Sequence, residues 1–201
     1  MKRIPSQAGL GGGSSDAAAL LRFFNGAACG DLGIQVSETA AIGADIPFLM
    51  TGGTVRCRGI GERLEPIPNI PALPVAVLKP LGIGHETRAA YARCDACAAQ
   101  GHLPTPQAEA FLRACRSGDY AAWRTCGGNA FEVVLNGAER TNFEALRRVA
   151  YAEGALLYGL SGSGSARFAI FQDSEARGRF LRRLSSGCEV YAAHLSPVAY
   201  R

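Results

Sequence analysis

Glycine is densest where this chain is about to form a helix. Gly9-Leu10-Gly11-Gly12-Gly13-Ser14-Ser15-Asp16 runs directly into Ala17-Ala18-Ala19-Leu20-Leu21-Arg22-Phe23-Phe24, whose alanines and leucines favour helix. Without Cβ atoms the backbone can approach an anion closely, and a helix start offers unpaired N–H groups and the positive end of the helix dipole. Ser14 or Ser15 is the natural N-cap, and both hydroxyls suit phosphate or Mg2+. Two familiar Gly-rich motifs are excluded by spelling. A P-loop requires G-x-x-x-x-G-K-[ST], yet the sixth position counted from Gly9 is Ser14 and no lysine follows. A dinucleotide fingerprint requires G-x-G-x-x-G, and its last position is again Ser14. A phosphate-binding helix start and a ligand-free flexible loop remain.

At 201 residues, 48% hydrophobic and 19% charged, the chain can bury a core as one large domain or two small ones. Its net charge of +4 is spread without a run of like charges, which suits an anionic small molecule better than a nucleic acid. Arg177, Arg179, Arg182 and Arg183 fall on a predicted helix and read as a solvated face. No apolar stretch approaches the roughly 20 residues of a membrane span. Met1-Lys2-Arg3-Ile4-Pro5 lacks the apolar core of a secretion signal, so the chain reads as cytoplasmic with no membrane partner. Cys29, Cys57, Cys94, Cys97, Cys115, Cys126 and Cys188 are scattered and odd in number, as expected of reduced thiols. Cys94 and Cys97 lack the second pair that a structural zinc site wants, and His85, His102 and His194 lack ligand spacing. No metal site of the protein's own is expected, and the histidines read as surface or packing residues.

The pattern of elements predicts an α+β fold. After the first helix come a helical stretch near 37–42 ending at Gly43, a strand over 51–58 and a turn at Gly59-Ile60-Gly61. Pro66, Pro68, Pro71 and Pro74 mark 65–74 as a linker. Beyond it lie a buried strand at 75–78, helices near 86–99, 107–117 and 142–153, strands at 155–158 and 168–171, a helix near 175–184 and a last strand at 190–195. This alternation implies helices on one face of a small, largely antiparallel sheet. Domains over 1–70 and 71–201 are expected.

Two further loops have candidate chemistry. Gly43-Ala44-Asp45-Ile46-Pro47-Phe48 sets one carboxylate among apolar residues, where Asp45 would either cap a turn or accept a hydroxyl proton during phosphoryl transfer. Ser161-Gly162-Ser163-Gly164-Ser165 offers an anion nest or a tight turn between strands.

In the order Pro5-x-x-x-Gly9 to Ala18, Gly43 to Phe48, then Ser161 to Ser165, the chain resembles the GHMP kinases. Gly43 to Pro47, Gly53-Thr54, Gly59-Ile60-Gly61-Glu62 and Leu195-Ser196-Pro197 resemble the branch acting on a cytidine-diphosphate-linked methylerythritol in non-mevalonate isoprenoid synthesis. The resemblance implies a two-domain fold, an S5-like N-terminal domain followed by a ferredoxin-like α/β sandwich. It implies ATP at Pro5, Ser6, Gln7, Ala8, Gly9, Leu10, Gly11, Gly12, Gly13, Ser14 and Ser15, with Mg2+ as cofactor. Asp45 becomes the catalytic base, Tyr91 the ring stacking on cytosine, and Ser161, Gly162, Ser163 and Gly164 part of the substrate site. Family members open on strands carrying a lysine in Ala-Lys-Leu-Asn and an Asp-Gly-Tyr-His motif. Neither is present here, and Met1 stands just ahead of the Gly-rich loop. The S5-like domain is therefore expected to be incomplete, and the chain alone inactive or poorly folded, its sheet edges exposed. Rival readings are another GHMP kinase, acting on mevalonate or homoserine, and a non-catalytic nucleotide-binding module.

Overall fold

A computed structural model describes residues 4–26, 33–103, 107–184 and 186–196; the readings that touch Met1, Lys2, Arg3, Cys29 and Pro197 fall outside them. Contacts divide the chain into two compact units. One holds Leu73–Leu195 with the stretch ending at Leu10, and the other is built on Gly11–Ala72.

The smaller unit begins with α1, Gly12–Phe24. Its cap is Gly11, in the left-handed region at φ 63, and no side chain caps it, which corrects the expectation of a Ser14 or Ser15 cap. Glycine tolerates that conformation and lets the helix start earlier than a serine cap would. A 3-10 stretch, Val36–Ala41, precedes α2, Ile46–Thr51. Ala18, Ile46 and Met50 form the unit's apolar core, flanked by Leu21, Val36 and Leu49. The strand expected over 51–58 is confined to β1, Val55–Arg58, because Thr51 closes α2 and Gly52 and Gly53 both take positive φ. β1 pairs antiparallel with β2, Arg63–Pro66, so the start of the expected linker is a strand. Pro66 is tolerated because it stands at the end of an edge strand.

The larger unit is a four-stranded antiparallel sheet in the order β4-β5-β3-β6. β3 is Pro74–Pro80, β4 Ala155–Leu160, β5 Arg167–Phe171 and β6 Cys188–His194. Central β3 is almost entirely buried and keeps its two prolines at its ends, where no ladder bond is lost. The strand order and intervening helices are those of a ferredoxin-like fold. Between β3 and β4 lie α3 (Thr87–Ala99), α4 (Ala108–Ser117), α5 (Trp123–Cys126) and α6 (Gly137–Ala152); α7, Ser174–Arg182, joins β5 to β6.

α6 packs on β4 and α7 on β3 and β5, burying Leu78, Phe143, Leu160, Phe171 and Phe180. α6 starts earlier than expected because Asn136 and Glu139 form a capping box: Asn136 Oδ1 accepts from the Glu139 N–H at 2.9 Å, and the carboxylate accepts from the Asn136 N–H at 3.0 Å. Of the basic cluster on α7 and its C-cap, Arg179 and Arg183 pair with Glu153 at 3.4 and 2.8 Å. Among the described residues, no helix is long and apolar enough to cross a membrane, and no group of three or more His, Cys, Asp or Glu side chains could hold a metal.

Candidate active site

The Gly-rich stretch belongs to both units. In the smaller one, the Ser15 N–H gives α1 its first helical bond, to the Gly11 carbonyl at 2.8 Å. The amides of Gly12, Gly13 and Ser14 precede that bond and lack intrahelical partners. Gly13 has an ordinary φ, and a Cβ built there would meet nothing within 4 Å. Among the described residues nothing demands glycine at that position.

Beside this helix start lies the segment leading to Asp45. A Cβ on Gly43 would lie 4.0 Å from Ser14 Oγ. Asp45 occupies the cap position of α2 and is exposed, but its carboxylate makes no cap bond, so the capping alternative fails. Its negative charge reaches Cys57 on β1, whose thiol is pushed above its usual range by burial and by Asp45. The turn at Gly59–Glu62 packs against the backbone just before Asp45. A Cβ on Gly61, at φ +117, would lie 2.2 Å from the Ala44 carbonyl, which accounts for a glycine in that turn.

In the larger unit, Gln7, Ala8 and Gly9 run beside the Ser161–Ser165 loop. The Gln7 carbonyl accepts from the His85 and Ser165 amides at 3.2 and 3.3 Å, and the Ala8 carbonyl from the Ala166 amide at 3.0 Å. Ser161 Oγ donates to the Gly9 carbonyl at 2.8 Å. Two side chains that sequence reasoning did not single out for the site shape this loop. Asn129 Nδ2 donates to the Leu160 and Gly162 carbonyls at 2.9 and 2.8 Å, while its Oδ1 accepts from the Phe131 amide. His85, read as a surface or packing residue, is buried with Nδ1 2.9 Å from the Ser163 carbonyl. Neither has a local signal, since each acts across a long separation in sequence. Asn129→Ala would strand two carbonyls, and a loss of about 1–3 kcal/mol is expected in urea denaturation.

Tyr91 stands on α3, 56% exposed, its ring roughly perpendicular to that of Phe131 with centroids 4.9 Å apart. One turn earlier on α3, Thr87 Oγ1 lies 3.2 Å from Ser163 Oγ. The larger unit thus gathers Gln7, Ala8, Gly9, Ser161, Gly162, Ser163 and Gly164 around one loop, and the smaller brings Ser14 near the Asp45 segment.

Residues 1–54 match the profile of the GHMP kinases N terminal domain and residues 109–190 that of GHMP kinases C terminal. A 4-diphosphocytidyl-2-C-methyl-D-erythritol kinase of Levilactobacillus brevis is 32% identical across 98% of this chain and 68% of its own length. The chain belongs to the GHMP kinase family. A Moorella thermoacetica protein of the same name is 38% identical across 91% of the chain, which spans 64% of that relative's length. A crystal structure of 4-(cytidine 5'-diphospho)-2C-methyl-D-erythritol kinase superposes with a TM-score of 0.72 at 32% identity, covering 97% of this chain and 69% of the other. The family's two-domain α+β fold agrees with the two units described above.

Proposed function

We propose that the protein carrying this chain transfers the γ-phosphate of ATP to a hydroxyl of 4-diphosphocytidyl-2-C-methyl-D-erythritol, a cytoplasmic step in making isoprenoid precursors. In this reading 1–70 belongs to the ATP-binding domain and 71–201 to the C-terminal kinase domain. Gly13 carries the argument. A glycine in the middle of a helix costs roughly 0.5–1 kcal/mol relative to alanine, less near its start, and among the described residues nothing comes within 4 Å of a Cβ built at Gly13. Close approach of an anion to the amides of Gly12 to Ser14 gives that glycine a reason.

Pro5 to Leu10 continue the ATP-binding segment. The Ser161–Gly164 loop belongs to the substrate site in this reading, and exposed Tyr91 offers its ring to cytosine. Ser14 and Ser15 hydroxyls, neither spent on capping α1, fit a Mg2+ ion held mainly by phosphate oxygens. When bound, that ion neutralises charge on the phosphates. Asp45 accepts the proton of the attacking hydroxyl, and the helix-start amides hold the phosphates in line.

Gly13→Ala separates this reading from a structural one. It is expected to leave stability unchanged or raise it by up to about 1 kcal/mol while weakening calorimetric binding of a non-hydrolysable ATP analogue by tenfold or more, an order of magnitude being about 1.4 kcal/mol. Unchanged affinity in such a variant would remove the phosphate from this helix. Turnover with the cytidine-linked acceptor, run beside mevalonate and homoserine, tests the acceptor.

A further inference from the structure

Two buried ionisable side chains have no part in the chemistry above. His85 and Glu139 are 6% and 9% exposed, on either side of one contact: His85 Nε2 lies 3.0 Å from Glu139 Oε1, and Nδ1 lies 2.9 Å from the Ser163 carbonyl oxygen. A carbonyl oxygen and an ionised carboxylate can only accept, so both ring nitrogens must donate. A neutral imidazole has one N–H and would turn a lone pair toward one of those oxygens.

The carboxylate is set up to be ionised. Burial pushes Glu139 up, but bonds from His85 and the Asn136 amide, with the charges of His85 and Arg93, outweigh it and hold the group below the usual carboxylate range. Other charged groups near the pair are already engaged. Arg167 on β5 donates to the Glu139 carbonyl and to Asn142, and Lys79 on β3 donates to the Pro80 and Ile83 carbonyls. The loop is moulded to the ring: a Cβ on Gly164, at φ +87, would lie 2.5 Å from Nδ1.

We propose that His85 and Glu139 are positioning residues, an imidazolium held by a carboxylate, that fix the Ser161–Ser165 loop in the shape that meets the anionic ligand. The ligand clause rests on the kinase reading; the claim about the loop does not. Loss of either ring proton would break one of the two bonds and loosen the loop. The lowered value of Glu139 means that its contribution is present above the ordinary carboxylate range and is lost as pH falls through the folded-state value.

Four variants divide the pair into its parts. Asparagine can place an N–H near the Nδ1 position and glutamine near Nε2, so His85→Asn keeps the donor to Ser163 and His85→Gln does not, while His85→Ala removes both. Glu139→Gln keeps the capping box, which glutamine also makes, but removes the charge. Nitrogen-15 NMR of histidine side chains, without ligand, should show both His85 nitrogens protonated in the parent and only one in Glu139→Gln. Hydrogen exchange at the amides of Ser161, Ser165 and Ala166 should quicken in His85→Gln and His85→Ala but not in His85→Asn.

Affinity for the ATP analogue should fall about tenfold, or 1.4 kcal/mol, in His85→Gln and His85→Ala, and stay near parental in His85→Asn. A neutral His85 in the parent, or equal exchange in the asparagine and glutamine variants, overturns the proposal. If the parent fails to bind the analogue while the NMR and exchange results hold, the kinase reading falls and the role of the pair in holding the loop stands.

Discussion

Asparagine in place of Asp45 is expected to reduce phosphoryl transfer by about 10²–10⁴-fold, the usual contribution of a general base, with little change in the KM for ATP. The substitution preserves shape and removes charge. Asp45 is exposed and makes no cap bond to α2, so stability should stay within about 0.5 kcal/mol, and lost activity could not be attributed to unfolding. An independent readout comes from Cys57, an accessible thiol raised by partial desolvation and by the Asp45 charge. Removing that charge favours the thiolate, so alkylation of Cys57 at fixed pH should be faster in Asp45→Asn than in the parent. Faster alkylation with undiminished turnover would leave Asp45 where it is described and take its catalytic role away.

How much of this was legible in the sequence depended on whether the cause was local. The glycine-dense helix start could be read because propensity and spacing lie within one stretch, whereas the cap was misassigned because a left-handed Gly11 replaced a serine hydroxyl. Propensity alone missed the early start of α6, although Asn136 and Glu139 spell a recognisable cap. Asp45 drew notice as a carboxylate among apolar residues, but its spacing left a capping and a proton-accepting role open, and the family resemblance pointed to the second. The bonds that shape the second loop were out of reach. His85 meets Glu139 and Ser163 only after β3, β4 and β5 have paired, and Asn129 reaches Gly162 across the same fold. Such contacts between distant residues leave no periodicity to read.

The second large effect concerns Gly9. Alanine there is expected to destabilise the larger unit by about 2–5 kcal/mol, combining the cost of a left-handed non-glycine residue with that of overpacking. At φ +68 its Cβ would lie 2.0 Å from the Ser161 carbonyl oxygen, 2.9 Å from the Gly164 nitrogen and 3.0 Å from the Gly164 oxygen. Every one of those atoms is backbone, so no side chain can swing aside to make room. The bond from Ser161 Oγ to the Gly9 carbonyl would be strained by the same displacement. Gly82→Ala is the matched control, because Gly82 has φ +69 and a methyl group added there would meet nothing within 4 Å. The difference between the two variants in urea denaturation therefore isolates crowding from backbone conformation. Equal losses would mean that the N-terminal stretch and the second Gly-rich loop do not approach as closely as described, and the shared phosphate-facing surface assigned to them would have to be abandoned.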